Sequence, residues 1–306
     1  MSATYNAAAV GMFDGVHRGH RDIMHTILSE AEALGGHPVV LTFAGHPLSV
    51  LRPSDAPCLL TTPAEKETLI RDFMPTADVR LLDFKAMHGV QAREFLLRLR
   101  DGLDVRTMVM GYDNRFGCDG PREREAYDRL GRELGVRVVH VEPRTVDGTT
   151  ASSSEIRRLL LAGRVDIAAD MLGRLYGVSG TVGHGRELGR TIGFPTANLV
   201  PDALKLVPAG GVYAARATVE GLGTWPAMVN IGRRPTVESS GSAPVTIEAH
   251  LIGADADMYG RRMTLAFVSR LRDERAFPSL DALCRQLEAD RRNTLITLDN
   301  GNNNLR

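Results

Sequence analysis

Two histidines three residues apart at the head of a helical pattern are the first residues here whose types and spacing could do chemistry. In Gly11-Met12-Phe13-Asp14-Gly15-Val16-His17-Arg18-Gly19-His20 a short apolar run gives way to that pattern. The spacing puts both imidazoles on one helix face, and Gly19 lets a ligand come close to the backbone. A helix N-terminus offers free N–H groups and about half a positive charge, which favours phosphate. Imidazoles there could hydrogen-bond phosphate oxygens as charge builds during a displacement, which needs no covalent intermediate. The competing reading is a metal site, since two histidines and a third ligand would suit zinc. Cys58, Cys118 and Cys284 lie far off in the sequence, and His25 points elsewhere on the helix. Further along, Ser152-Ser153-Ser154 opens another helical pattern with Arg157 close behind. These serines could cap the helix or hold phosphate oxygens, which the planar fork of an arginine also grips.

A second constellation, Arg186-Glu187-Leu188-Gly189-Arg190-Thr191-Ile192-Gly193-Phe194-Pro195-Thr196-Ala197-Asn198, joins glycines, cations and small polar groups between two apolar runs. It contains no lysine, and no G-x-x-x-x-G-K-[ST] occurs in the chain, which excludes a P-loop kinase. Glycine-rich turns can still form an anion-binding nest from successive N–H groups. Thr196 and Asn198, two apart on a strand-like segment, would share a face and offer hard oxygen ligands to Mg²⁺. The alternative is a Gly-Pro surface hairpin. Taken alone Glu248 reads as an exposed strand carboxylate, and His250 shares its strand face by the period of two.

The elements that must position these residues fall into two sets. Apolar runs at 38–43, 79–84, 107–111 and 137–141 read as buried strands. Helical spacing at 21–34, 64–73, 93–99 and 122–134 alternates with them, which predicts an α/β doubly wound parallel sheet. Ligands of such sheets sit outside the carboxyl ends of the strands. Helical patterns at 152–162 and 165–172 follow. From there β-rich runs at 178–183, 211–219, 225–231, 245–251 and 261–269 are separated by Gly and Pro turns, before a last helical pattern at 279–292. That order predicts a small antiparallel β-barrel closed off by a terminal helix. The expected domains are 1–174 and 175–298, with a flexible tail at 299–306.

Composition narrows the function. The 306 residues carry 37 Lys plus Arg against 37 Asp plus Glu, a formal net charge of +0. No general field attracts nucleic acid or a membrane surface, so neither is an expected partner. No apolar run approaches the roughly 20 residues of a membrane span, and no secretory signal is visible at the start. Three scattered cysteines make neither a disulfide framework nor a zinc spacing, which fits a reducing cytoplasm. Lysine is scarce: Lys66, Lys85 and Lys205 stand among many arginines.

The G-x-F-D-G-V-H-x-G-H string resembles the bacterial bifunctional riboflavin kinase/FMN adenylyltransferase family, also called FAD synthetase. Phe43 to Pro47 is similar to its F-x-P-H-P segment, with Gly45 for Pro. Gly111-Tyr112-Asp113-Asn114-Arg115-Phe116-Gly117 is similar to its G-x-D-F-R-F-G loop, with Asn114 for Phe. Ser152 to Arg157 is similar to S-S-T-x-I-R, with Ser154 for Thr. The second constellation resembles the riboflavin kinase signature G-R-x-x-G-x-P-T-A-N. Gly211-Val212-Tyr213, Asn230-Ile231-Gly232 with Pro235-Thr236, Glu248-Ala249-His250-Leu251, Tyr259-Gly260 and Arg272 to Phe277 are similar to the family's later landmarks. Members of the family carry more sequence ahead of the first strand.

The resemblance implies a cytoplasmic enzyme whose second domain converts riboflavin and ATP to FMN. Its first domain would then convert FMN and a second ATP to FAD and pyrophosphate, both steps using Mg²⁺. It implies His17 and His20 at the α-phosphate, with Gly11, Phe13, Asp14, Gly19, Ser152, Ser153 and Arg157 around the triphosphate. Gly189, Arg190, Gly193, Thr196 and Asn198 would bind the kinase's ATP, Thr196 and Asn198 would also hold its metal ion, and Glu248 would be its base. Asp113, Asn230 and Arg272 would lie near flavin. Two alternatives stand beside this reading: a riboflavin kinase with an impaired first domain, and a flavin-binding protein without turnover.

Overall fold

The computed structural model describes residues 4–121, 123–184, 188–233 and 245–301, without the side chains of 188, 190, 233, 300 and 301. The chain forms two compact units, Met1–Ser153 and Ser154–Arg306.

In the first unit five strands, β1 (Asn6–Val10), β2 (Pro38–Phe43), β3 (Asp78–Leu82), β4 (Val105–Gly111) and β5 (Arg137–Val141), form one sheet in the order β3-β2-β1-β4-β5. Every pairing in it is parallel. The helices are α1 (Arg18–Ala33), the short α2 (Leu48–Leu51), α3 (Pro63–Phe73), the short α4 (Phe84–Met87), α5 (Ala92–Gly102) and α6 (Arg124–Leu134). Alternate residues of β1 feed two cores. Ala7 and Ala9 pack with Ile23, Ile27 and Ile70 from α1 and α3, while Ala8 and Val10 pack with Phe95, Leu96 and Tyr127 from α5 and α6. Both faces of the sheet are therefore covered, which is why its inner strands β1 and β2 are nearly continuous buried runs. Short strands β6 (Thr145–Val146) and β7 (Thr149–Thr150) pair as a hairpin beyond it.

Helix α7 (Ser153–Leu161) starts at the division, and α8 (Val165–Leu172) lies wholly in the second unit. The expected boundary near 174 thus falls later than the division in packing. Helix α8 packs on strands of the barrel, its Val165, Ala168 and Leu172 fully buried. The Ala209 N–H donates to Leu160 O at 3.0 Å. Local periodicity finds these helices but does not say which core receives them.

The second unit is a closed barrel of β8 (Tyr176–Gly183), β9 (Ala197–Pro201), β10 (Gly211–Val219), β11 (Gly223–Arg233), β12 (Val245–Leu251) and β13 (Arg262–Arg272). The order is β10-β11-β12-β9-β8-β13, antiparallel throughout. One helical turn, α9 (Leu188–Thr191), lies between β8 and β9, and α10 (Leu280–Gly301) packs against β10, β11 and β13. Two local expectations need correction. β9 is a full strand of the barrel, and α10 runs on through 299–301, which were assigned to a flexible tail; 302–306 lie outside the described residues.

Tyr127 ties α6 to the loop after β4. Its hydroxyl, fully buried, accepts from Phe116 N at 3.0 Å and donates to Phe116 O at 2.8 Å. Tyr127→Phe leaves both backbone groups unmet, a cost of about 1–3 kcal/mol. Urea unfolding of the variant should show a lower midpoint for the first domain's transition at unchanged slope.

Candidate functional site

The loop after β1 is held from three sides. Gly11 N–H donates to Leu41 O at 3.0 Å, and a side chain at Gly11 would press on the Phe13 ring at 3.1 Å. The Asp14 carboxylate, 2% exposed, accepts from Leu60 N at 3.0 Å and from the N–H and hydroxyl of Thr61 at 2.9 and 3.0 Å. Ser153 Oγ donates to Asp14 O at 2.9 Å. Asp14, expected at phosphate, is thus tied to Leu60 and Thr61, and Ser153, also expected there, to the Asp14 backbone.

The loop delivers His17 as the N-cap of α1, where its Nδ1 accepts from His20 N at 3.4 Å. The two imidazoles stack, centroids 3.6 Å apart, and His20 meets the Phe13 ring edge-on at 5.2 Å. Gly19 sits against His17, a Cβ there lying 3.3 Å from the ring. The structure thus joins His17, His20, Gly19 and Phe13 into one cluster at a helix N-terminus. Ser152 immediately precedes α7, and Arg157 lies further along that helix, past the division between the units.

Asn114, which departs from the family pattern, has a partner of its own: its amide donates to Val10 O at the end of β1. Asp113 beside it is exposed. The Gly45 segment lines a cavity of about 260 Å³ with His46, Leu82 and Phe84.

Sequence reading missed Lys66. It occupies the buried face of α3 beside Ile70, 3% exposed, and its Nζ donates to Met12 O at 2.9 Å and Phe43 O at 2.5 Å. Burial pulls this ammonium down to about 8, against the pull of the Asp14 charge. Relative to an ordinary 10.5, a protonated Lys66 costs the fold about 3 kcal/mol. The sign follows from proton binding: the unfolded chain holds this proton more tightly, so the cost stands below pH 8 and is relieved as pH rises towards 10.5. A lysine at the i,i+4 position of an apolar stripe, in a chain so poor in lysine, was the available signal.

In the barrel, register assembles the second cluster. Asn198 on β9 pairs with Glu248 on β12, which pairs with Asn230 on β11, so the three stand in a row. Along β12, Ile247, Ala249 and Leu251 are buried, whereas Glu248 and His250 alternate to the other face. That face opens on a cavity of about 490 Å³. Ile192, Phe194, Met228, Leu283 and Leu287 give it apolar walls, and Glu248, Asn230, Thr196, Arg272 and Glu274 give it polar groups. Thr196 also lines a second cavity of about 790 Å³, with Asp257 and Tyr259 on its far side.

The loop from α9 to β9 closes on itself. Phe194 N–H donates to Gly189 O at 2.8 Å, and a Cβ at Gly189 would lie 2.1 Å from Phe194 O, so only glycine fits. Gly193 makes the turn with φ +82°. The Arg190 side chain, 185–187 and Pro235-Thr236 lie outside the described residues. His250 Nδ1 bonds Pro195 O at 2.8 Å, which requires the proton on Nδ1. Burial holds this imidazole below its usual range although that bond works the other way.

Arg272 reaches the cavity but does not point freely into it. It pairs with Asp290 of α10, with Nε and a terminal nitrogen at 3.0 and 2.7 Å from Oδ2. Asp290 is 1% exposed and also accepts from Gln286 at 2.7 Å. Glu274 accepts from Asn230 at 2.9 Å and rests on Gly232, where a Cβ would clash at 2.5 Å. Asp290 and Glu274 were not singled out from sequence, because only the fold shows their partners.

Among the described residues, no group of three or more His, Cys, Asp or Glu side chains suits a metal. The hydroxyl of Thr196 and the amide oxygen of Asn198 are neutral hard donors. They fit an ion that arrives with phosphate oxygens and keeps much of its water, as Mg²⁺ does.

Comparison with known proteins finds a match for each half of the chain. The family model for FAD synthetase matches residues 2–155 and that for riboflavin kinase matches residues 172–298. The bifunctional riboflavin kinase/FMN adenylyltransferase of Pseudomonas fluorescens is 36% identical, covering 92% of this chain and 90% of its own. That of Bacillus subtilis is 33% identical over 94% and 90%. The crystal structure of a macrolide-efflux protein from Streptococcus pneumoniae superposes with a TM-score of 0.87 at 29% identity, covering 96% of this chain and 95% of its own. No helix among the described residues is long and apolar enough to cross a membrane.

The Arg272–Asp290 pair gives a stability test. Removing one partner of a buried pair strands the other charge, at about 3–5 kcal/mol, whereas replacing both with apolar residues is near neutral. Asp290→Ala should therefore lower the barrel's unfolding free energy by that order, and Arg272→Met with Asp290→Leu should recover most of it, measured by denaturant titration.

Proposed function

The chain belongs to the bifunctional riboflavin kinase/FMN adenylyltransferase family, and from that premise we propose how its own residues divide the work. The riboflavin kinase domain phosphorylates riboflavin with ATP to FMN, and the FAD synthetase domain adenylylates FMN with a second ATP, giving FAD and pyrophosphate. We assign the kinase to residues 175–298 and adenylyl transfer to the residues before them.

Glu248 and Asn230 on a cavity wall, with Asn198 paired to Glu248 across the strands, carry the kinase reading. Riboflavin enters the 490 Å³ cavity with its ring system against Ile192, Phe194, Met228 and Leu287. Its ribityl 5′-hydroxyl meets Glu248, which orients it and accepts its proton. The 5′-oxygen then bonds to the γ-phosphorus of ATP as the bond to ADP breaks. ATP takes the 790 Å³ cavity, and Thr196, common to both cavities, marks where the phosphoryl group passes. Thr196 and Asn198 would hold Mg²⁺, which would supply charge to offset that of the phosphates. Phosphoryl transfer depends on such placement more than on covalent chemistry.

In the first domain an FMN phosphate oxygen attacks the α-phosphorus of ATP, and the bond to the β-phosphate breaks to release pyrophosphate. His17 and His20, stacked at the N-terminus of α1, donate hydrogen bonds to the oxygens where charge builds. The Asn114 amide, bonded to Val10 O, keeps the loop after β4 beside the end of β1. That placement favours a working first domain over the kinase-only alternative. Cys58, Cys118 and Cys284 form no disulfide, which fits a reducing compartment, here taken as the cytoplasm.

Two variants separate the sites. Glu248→Gln should slow FMN formation from riboflavin by about 10²–10⁴-fold while FAD formation from FMN is kept. His20→Ala should slow FAD formation by about 10²–10³-fold while FMN formation is kept. Steady-state rates from each substrate check both, and unchanged turnover in either variant removes that residue from the mechanism.

A further inference from the structure

Lys66 is a buried cation for which neither half-reaction has a use. It sits on α3, and its ammonium joins two backbone carbonyls from different strand ends, Met12 O in the loop after β1 and Phe43 O at the end of β2. These are neighbouring strands at the carboxyl edge of a parallel sheet, where ligands of such sheets bind. Met12 O also accepts from Thr42 Oγ1 at 3.0 Å, so the β1 loop is bound twice to the end of β2. Two residues on, Asp14 fastens the same loop to Leu60 and Thr61, just ahead of the helix that carries Lys66.

We propose that Lys66 is a positioning residue for adenylyl transfer: bridging Met12 and Phe43, it fixes the β1 loop against the end of β2 and so sets where His17 and His20 stand. The inference rests on the adenylyl-transfer reading given above. A hydrophobic side chain of similar length would fill the same space without the desolvation that the ammonium suffers. The work of a charge here therefore lies in the two carbonyls it holds. A shift of about 1 Å in such a loop costs about 10²-fold in rate.

The charge also predicts a pH dependence. Asp14, from the β1 loop, is the charged group that faces Lys66. On α3 itself Glu65 is turned to the Thr62 backbone and Glu67 pairs with Arg71, while Phe43 and Thr42 of β2 bring no charge. Loss of the Lys66 proton near pH 8 leaves a neutral amine, which can still donate but binds the two carbonyls more weakly.

The full-length protein tests this with its own kinase domain as the control. Lys66→Met should lower kcat/KM for FAD formation about 100-fold, leave FMN formation from riboflavin unchanged, and leave the melting temperature equal or higher. In the unaltered protein kcat/KM for FAD formation should fall as pH rises through 8, and Lys66→Arg, whose charge persists, should abolish that fall. FAD formation undiminished in Lys66→Met overturns the proposal. So does a collapse of both activities together with the melting temperature, which would make Lys66 a folding residue, and so does a pH profile that Lys66→Arg does not change. An unaltered protein that makes no FAD from FMN overturns the adenylyl-transfer reading first, and this inference with it.

Discussion

A carboxylate taken out of water must be met by donors, and in each domain that requirement fixes the segment on which a site is built. Asp14 and Asp290 are the most buried carboxylates described. Asp14 draws the backbone of Leu60 and Thr61 and the Thr61 hydroxyl onto the loop ahead of His17. Asp290 draws Arg272 onto α10, so the end of β13 and the apolar face of that helix close on one cavity. Neither carboxylate could be left unpaired without a cost of several kcal/mol, so neither segment is free to drift. The residues to which we assign the chemistry, His17 and His20 in one domain and Glu248 in the other, stand close to these anchors.

The two domains answer one problem, the handling of phosphate, with different backbones. The first uses the head of a long helix at the carboxyl edge of a parallel sheet, where N–H groups and imidazoles converge. The second is a closed barrel. It relies on the alternation of strand side chains, which sends Ile247 and Ala249 inward and Glu248 and His250 outward. Closure of the barrel brings Asn198 and Asn230 beside Glu248 from strands on either side. Neither solution needs a phosphate-loop lysine, in keeping with the scarcity of lysine in the chain.

Local pattern made much of this legible. Strands 211–219 and 245–251 and helix 165–172 are observed with the bounds expected, because each is a continuous or cleanly periodic run between Gly or Pro turns. The histidine pair was legible as residue types at fixed spacing, whereas Glu248 and Asn230 were found through their motifs and their row with Asn198 only through strand register. What was not legible is what depends on partners distant in sequence. Asp14 was read as a phosphate residue, but its partners lie 46 and 47 positions away. Lys66 and Asp290 look like surface residues until the fold supplies carbonyls or an arginine. The strand at 197–201 was read only as strand-like, since its five residues, Ala-Asn-Leu-Val-Pro, make neither a continuous nor an alternating apolar run. Likewise α7 and α8 follow the first domain's motifs in sequence, yet α8 packs on the barrel.

The central claim is that one chain carries two working sites that act in series. Its most direct test is purified protein with ATP and Mg²⁺, started separately from riboflavin and from FMN, with riboflavin, FMN and FAD separated by chromatography and followed by fluorescence. The account predicts FAD from both starting points, with FMN preceding it when the reaction starts from riboflavin. FMN accumulating from riboflavin with no FAD from either start would contradict it, and so would FAD from FMN with riboflavin left untouched.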